Sequence, residues 1–141
     1  MIVEILNQQK IKKINLGELR KYLSKIFALL GLSSRISFLL SDNSLIRVLN
    51  RKYFQKNYST DVIAFPLKNE LESDYLGEVV VSVEQAVKVS KELGLGWKEE
   101  LTRYLVHGIL HLVGYDDRTK KQRTVMEKKQ DEILKEIFRN R

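Results

Sequence analysis

Both histidines of the chain stand four residues apart in the run HGILHLVGYDD, residues 107–117. On an α-helix, residues i and i+4 share one face, so His107 and His111 can offer two imidazole nitrogens to a single divalent ion. The competing reading is a pair of core histidines. Leu105, Val106, Ile109, Leu110, Leu112 and Val113 make this helix apolar nearly all round, as a buried helix is. An imidazole there needs a hydrogen bond or a metal, because leaving it unsatisfied is costly. The residues that follow favour the ion. Gly114 can take a left-handed conformation and end the helix sharply. Asp117, three residues on, can then reach the same point from the opposite side. Three ligands leave a coordination position for water, which distinguishes a catalytic site from a closed structural one. One divalent ion per chain is therefore expected, held by His107, His111 and Asp117, with zinc as first choice. Asp116 is an alternative ligand, a proton acceptor near that water, or simply a solvated turn carboxylate.

The spacing is that of the metzincin zinc motif, which ends in a third histidine. Zinc peptidases carry a general-base glutamate directly after the first histidine, and here that position is Gly108. A peptidase would lack the group that takes the proton from water. A phosphodiester asks for less. Its non-bridging oxygens are already negative, and a metal can supply hydroxide and neutralise developing charge without a dedicated carboxylate. The charge distribution agrees with a polyanionic substrate. The chain carries a net +7, with eleven Lys/Arg against three Asp/Glu over residues 1–60, four against nine over 61–100, and ten against six over 101–141. Two basic segments that meet in space would concentrate RNA locally, whereas a Lys-rich surface that merely solubilises would not.

The elements that must position these residues can be read from periodicity. IVEILN (2–7) suits a short strand. From Leu16 the apolar residues Leu19, Leu23, Ile26, Phe27 and Leu30 recur at three and four, a helix face that Gly31 can stop. RISFLLS (35–41) is strand-like, and Asp42 or Asn43 can cap a helix running to Phe54 with Leu45, Ile46, Leu49 and Tyr53 inward. DVIAFPL (61–67) is a strand with the chain's one proline at its end. KNELESDY (68–75) reads as a loop, and LGEVVVSV (76–83) as a strand buried on both faces. Helices are expected over 84–94, 97–113 and 119–138. This order argues a one-domain α+β protein, a small mixed β-sheet with helices packed on it. No apolar run reaches the ~18 residues of a membrane span, and the N-terminus has no signal-peptide pattern. Cysteine is absent, so there is no thiolate ligand or disulfide-linked partner. A cytoplasmic location is expected.

At this point the residues carry a specific match. HGILHLVGYDD resembles the metal site of the YbeY family, bacterial metal-dependent endoribonucleases of ribosomal RNA maturation. LNRKYFQKNYSTDVIAFP (49–66), GEVVVSVEQA (77–86) and MEKKQDEIL (126–134) are similar to further blocks of the same family. The resemblance implies a zincin-like α+β fold and a role on ribosomal RNA and the small ribosomal subunit. It also exposes two departures. The family's third ligand is usually histidine, and here it is Asp117, whose negative charge would weaken the ion as a Lewis acid and welcome harder ions such as manganese. Phe54 falls where the family has an arginine implicated in catalysis, so a phosphate-clamping guanidinium is missing there.

Arg51, Lys52 or Lys56 can substitute from the same neighbourhood, and Arg118 and Lys120 are further candidates for nucleic-acid binding. Lys121 and Arg123 either touch phosphate or belong to a charged helix face. Asp61 either holds a ligating histidine by its second nitrogen or bonds backbone where its strand starts. Trp97 and Tyr104 suit core packing better than base stacking. The function expected is a metal-dependent endoribonuclease in which bound water attacks the phosphodiester. A ribosome-assembly factor that retains the metal site, and more remotely a metallopeptidase, are the alternatives.

Overall fold

A computed structural model describes residues 3–67 and 74–138. Strand β1 (Val3–Asn7) leads to helix α1 (Leu16–Leu30), strand β2 (Arg35–Ser41) and helix α2 (Asn43–Phe54). Strands β3 (Val62–Pro66) and β4 (Tyr75–Ser82) follow, then α3 (Val83–Leu93), α4 (Trp97–Leu112) and α5 (Lys120–Phe138). This is the α+β arrangement expected from the sequence. The sheet is mixed, with strand order β1-β2-β4-β3. β1, β2 and β4 run parallel, and β3 pairs antiparallel with β4 at one edge. Pro66 sits on that edge strand, where a missing donor is tolerated. Residues 68–73 of the expected loop 68–75 lie outside the described residues, Asp74 forms a turn, and Tyr75 already opens β4.

Capping explains where the helices begin and end. Asp42, rather than Asn43, caps α2, its Oδ1 accepting from the Leu45 N–H at 2.9 Å. Asn15 and Ser82 cap α1 and α3 in the same way. Gly31 and Gly94 end those helices at positive φ. At α5 a capping box forms: Thr119 Oγ1 accepts from Gln122 N–H, and Gln122 Oε1 accepts from Thr119 N–H.

The sheet buries both faces. Val79 and Val81 point into the main core with Leu105 and Ile109 of α4, Leu23 and Phe27 of α1, and Met126 and Leu134 of α5. Val80, one residue out of phase, packs on the other face against Ile46 of α2 and Ile63 of β3. Period-two alternation thus serves two cores, which is why β4 reads as a continuous apolar run. One expected inward residue is not inward: Tyr53 is 57% exposed. Asn50 takes the buried position on that helix, and its Nδ2 donates to the Tyr58 carbonyl at 3.0 Å. A polar residue there ties the loop after α2 to the helix, while Tyr53 is left to the surface.

Candidate metal centre

Helix α4 lies against β3 and β4, and its closeness to the sheet depends on Gly108. A Cβ at that position would stand 2.5 Å from Val79 Cγ1 and 3.2 Å from Val62 Cγ2. No side chain fits unless Val79 gives way. Gly108 therefore does more than omit the peptidase glutamate. It faces packed valines, which a carboxylate placed there would have to displace.

Directly before this contact the helix presents His107, and about a turn after it His111, with ring centroids 4.8 Å apart. Past Leu112 the helix stops in a Schellman arrangement. Tyr115 N–H donates to Leu110 O at 2.9 Å, and Gly114 N–H donates to His111 O at 3.2 Å. Gly114 has φ 107°, a conformation few other residues adopt. The reversed chain brings Asp117 back over the helix end. Its Oδ2 lies 3.3 Å from His111 Nε2 and 3.7 Å from His107 Nε2. The three donor atoms all fall within 4.8 Å of one another.

The surroundings prepare this set for a cation. Gln130 of α5, itself buried, faces His107 Nδ1 with its Oε1 at 3.1 Å. An amide oxygen only accepts, so the proton belongs on Nδ1 and the Nε2 lone pair is turned toward Asp117. Desolvation, reinforced by the neighbouring His111, lowers the His107 pKa, which keeps its imidazole neutral at neutral pH. Gln130, Asp61 and Asp117 act in the opposite direction. Two imidazoles and a carboxylate are a donor set that zinc and similar divalent ions accept. The loop bearing Asp117 is held from α5, where Arg123 Nη1 donates to the Asp117 carbonyl at 3.2 Å.

The ligand cluster opens onto a cleft of about 690 Å³ whose walls come from β3, the end of α2 and the loop after it. Lys56 and Arg118 line it; Arg51, Lys52 and Lys120 do not. Lys52 Nζ instead lies 5.3 Å from the centre of the Tyr53 ring, and Arg118 pairs with Asp116 at 3.1 Å. Asp116 also accepts from Asp117 N–H at 2.8 Å, so both its oxygens serve the turn. Asp61 lines the cleft, and its Oδ1 accepts from Val62 N–H at 2.8 Å, the strand-start bond. Of the two readings of Asp61, the strand-start bond is the one formed, and the hydrogen bond at His107 Nδ1 is made by Gln130. Trp97 is partly buried beneath Lys12 and Lys98, and Tyr104 is buried, so neither offers a free ring.

Gln130, Asn50 and the clamp by Arg123 were not foreseen in these roles. MEKKQDEIL holds Gln130 within a charged helix pattern, and nothing local reports that it meets a histidine 23 residues earlier.

Comparison with known proteins gives a consistent picture. The family described as Endoribonuclease YbeY matches residues 4–138. A relative named Endoribonuclease YbeY from Persephonella marina is 45% identical over 72% of this chain and 69% of its own length. Another of that name, from Syntrophus aciditrophicus, is 32% identical over 95% of this chain and 88% of its own. The solution structure of TM1509 from Thermotoga maritima superposes with a TM-score of 0.74 at 28% identity, covering 99% of this chain and 91% of the other.

Proposed function

The chain belongs to the endoribonuclease YbeY family, and from that premise we propose that it is a metal-dependent endoribonuclease acting on ribosomal RNA in small-subunit maturation and quality control. The observation that carries the reading is the convergence of His107 Nε2, His111 Nε2 and Asp117 Oδ2 at the floor of a cleft lined by Lys56 and Arg118. Residues 1–141 would form one hydrolase domain, working in the cytoplasm. Among the described residues, no helix is long and apolar enough to cross a membrane.

In this reading His107, His111 and Asp117 hold one divalent ion, zinc by first choice. When bound, such an ion supplies Lewis acidity to phosphoryl oxygens and acidifies the water that hydrolysis needs. The chain's own residues do the rest. Gln130 orients His107 through Nδ1, and Arg123 steadies the turn that carries Asp117. Lys56 and Arg118 attract and orient the phosphodiester backbone as point and fork donors respectively. Asp116, with both oxygens engaged in the turn, positions Arg118 and is the carboxylate proposed for proton transfer. Arg51, Lys52 and Lys120 extend the basic surface for RNA beyond the cleft walls.

The test is cleavage of a single-stranded ribosomal RNA fragment after stripping the protein and returning one metal at a time. Activity that returns with metal and is lost in His111→Ala and Asp117→Ala would support the nuclease and its ligand set. Metal-loaded protein that leaves RNA intact under every divalent ion would overturn it. The second reading is a ribosome-assembly factor with a retained metal site, and Phe54 in place of an arginine favours it. That reading expects tight binding to small-subunit precursors that survives His111→Ala.

A further inference from the structure

The aromatic residues beside the metal cluster are unusually exposed. Phe54 is 45% exposed and Tyr58 55% exposed, and both line the same cleft as His107 and His111. Phe54 stacks on Phe65, with ring centroids 5.5 Å apart and planes 27° from parallel. Tyr53 braces Phe65 edge-on at 5.3 Å. One face of the Phe54 ring is thus backed by a second ring that the sheet holds in place. The loop after α2 is fixed as well, since Asn50 donates to the Tyr58 carbonyl and Arg47 Nε donates to Asn57 Oδ1 at 3.1 Å. Rigid rings with a π-face toward a cleft are what base stacking requires.

We propose that Phe54, backed by Phe65, is a stacking platform for an unpaired nucleobase of the RNA strand whose backbone enters the metal cleft. The inference rests on the reading of that cleft as an RNA site and deepens it by assigning base recognition to the Phe54 ring. Two observations select this occupant. The rings are continuous with the ligand cluster through one cleft, so a base on Phe54 belongs to the strand crossing the metal centre. Beside the carboxylates Asp61, Asp116 and Asp117, the cleft presents Lys56 and Arg118 on its walls, with Lys52 above Tyr53, and these cations can meet the phosphates of a strand whose base lies on Phe54. A base within a duplex has both faces covered by its neighbours, so only an unpaired segment can use the platform. Phe54 is in this view a substrate-positioning residue, and it contributes recognition where an arginine would contribute charge.

The test measures binding separately from cleavage. The full chain, zinc-loaded and in parallel under chelator, is titrated into a labelled single-stranded oligoribonucleotide. The same strand with abasic residues and the same sequence as a duplex are the controls, and fluorescence anisotropy is the readout. Wild type should bind the single strand more tightly than the abasic strand and the duplex. Phe54→Leu, which keeps apolar bulk, should weaken single-strand binding by about 5- to 150-fold, the range of one lost base–ring stack. It should leave abasic binding unchanged, and Phe54→Trp should retain the preference for bases. Wild-type indifference to the bases, or unchanged binding in Phe54→Leu, would overturn the platform even with metal-dependent cleavage intact. Base preference without cleavage under any metal would leave the platform standing and remove the nuclease. Indifference to bases, with Phe54→Leu altering self-association in sedimentation, would overturn it in favour of a protein contact.

Discussion

Asp117 is a carboxylate where the sequence resemblance leads one to expect histidine, and its side chain reaches both imidazoles, at 3.3 and 3.7 Å. His107, His111 and Asp117 are only partly buried, so on the proposed reading each would contribute to stability mainly through a bound ion. His111→Ala should therefore lower the melting temperature in the presence of metal and have little effect in its absence. At a free metal concentration ~100 times the dissociation constant, the stabilisation removed is about 2.7 kcal/mol. Equal destabilisation in metal-free protein, followed by thermal unfolding, would identify His111 as a core residue instead. Gln130 permits a sharper test because it touches no ion. Gln130→Leu keeps the volume but removes the acceptor for His107 Nδ1–H, and should weaken metal affinity by ~10–100-fold. Competition against a chromophoric chelator would measure this.

At the scale of elements, the contact between α4 and β4 governs where the histidines sit. Gly108→Ala places a methyl 2.5 Å from Val79 Cγ1, and overpacking of this kind typically costs ~1–3 kcal/mol. The double variant Val79→Ala, Gly108→Ala should recover part of that loss, which urea unfolding of the single and double variants would show. Strand β4 carries a second stress on the α2 side of the sheet. Glu78, Ser37 and Glu4 lie in register across three strands, and burial first, then the Glu4 charge, raises the Glu78 pKa above its ordinary 4.5. A raised carboxyl pKa means the folded state binds the proton more tightly than the unfolded one, so ionised Glu78 opposes folding. That penalty is full above the folded pKa and disappears as pH falls toward 4.5. Glu78→Gln should stabilise the protein at neutral pH by a few tenths of a kcal/mol, given solvent screening of a partly exposed pair. The gain should vanish at acidic pH, as denaturation midpoints across that window would report.

For the whole molecule, charge acts through placement more than through total. Both basic segments contribute to the cleft, Lys56 from the first and Arg118 from the last, while the acidic middle contributes Asp61. Affinity for single-stranded RNA should fall linearly with the logarithm of salt. Lys56→Ala and Arg118→Ala should each reduce that slope by ~0.7, the value for one phosphate contact on a single strand. Lys120→Ala, outside the cleft lining, should change it less. Binding isotherms over a salt series would separate the three. A slope untouched by Lys56→Ala and Arg118→Ala would place the RNA on another face.

Much of this protein is legible in one dimension because short-range physics set it. Helix periodicity, caps such as Asp42 and the stops at Gly31 and Gly94 depend on neighbours within one turn, and they gave nearly all element boundaries. The clustering of His107, His111 and Asp117 was legible for the same reason: i and i+4 share a helix face, and a glycine plus a short turn returns Asp117 to it. What needed the tertiary structure were meetings between residues distant in sequence. Gly108 reads as a missing glutamate, yet its necessity comes from Val79 and Val62 on two strands. Gln130 reads as a helix-surface amide until α5 docks and brings it to His107. Tyr53 fits an inward helical position, but Asn50 and Ile46 are the buried residues, and only the packing of α2 on the sheet decides which. Arg123 and Lys56 are equally basic in the sequence, but packing assigns one to a backbone clamp and the other to the cleft. Periodicity can show which face is apolar; it cannot show what the opposing face contains.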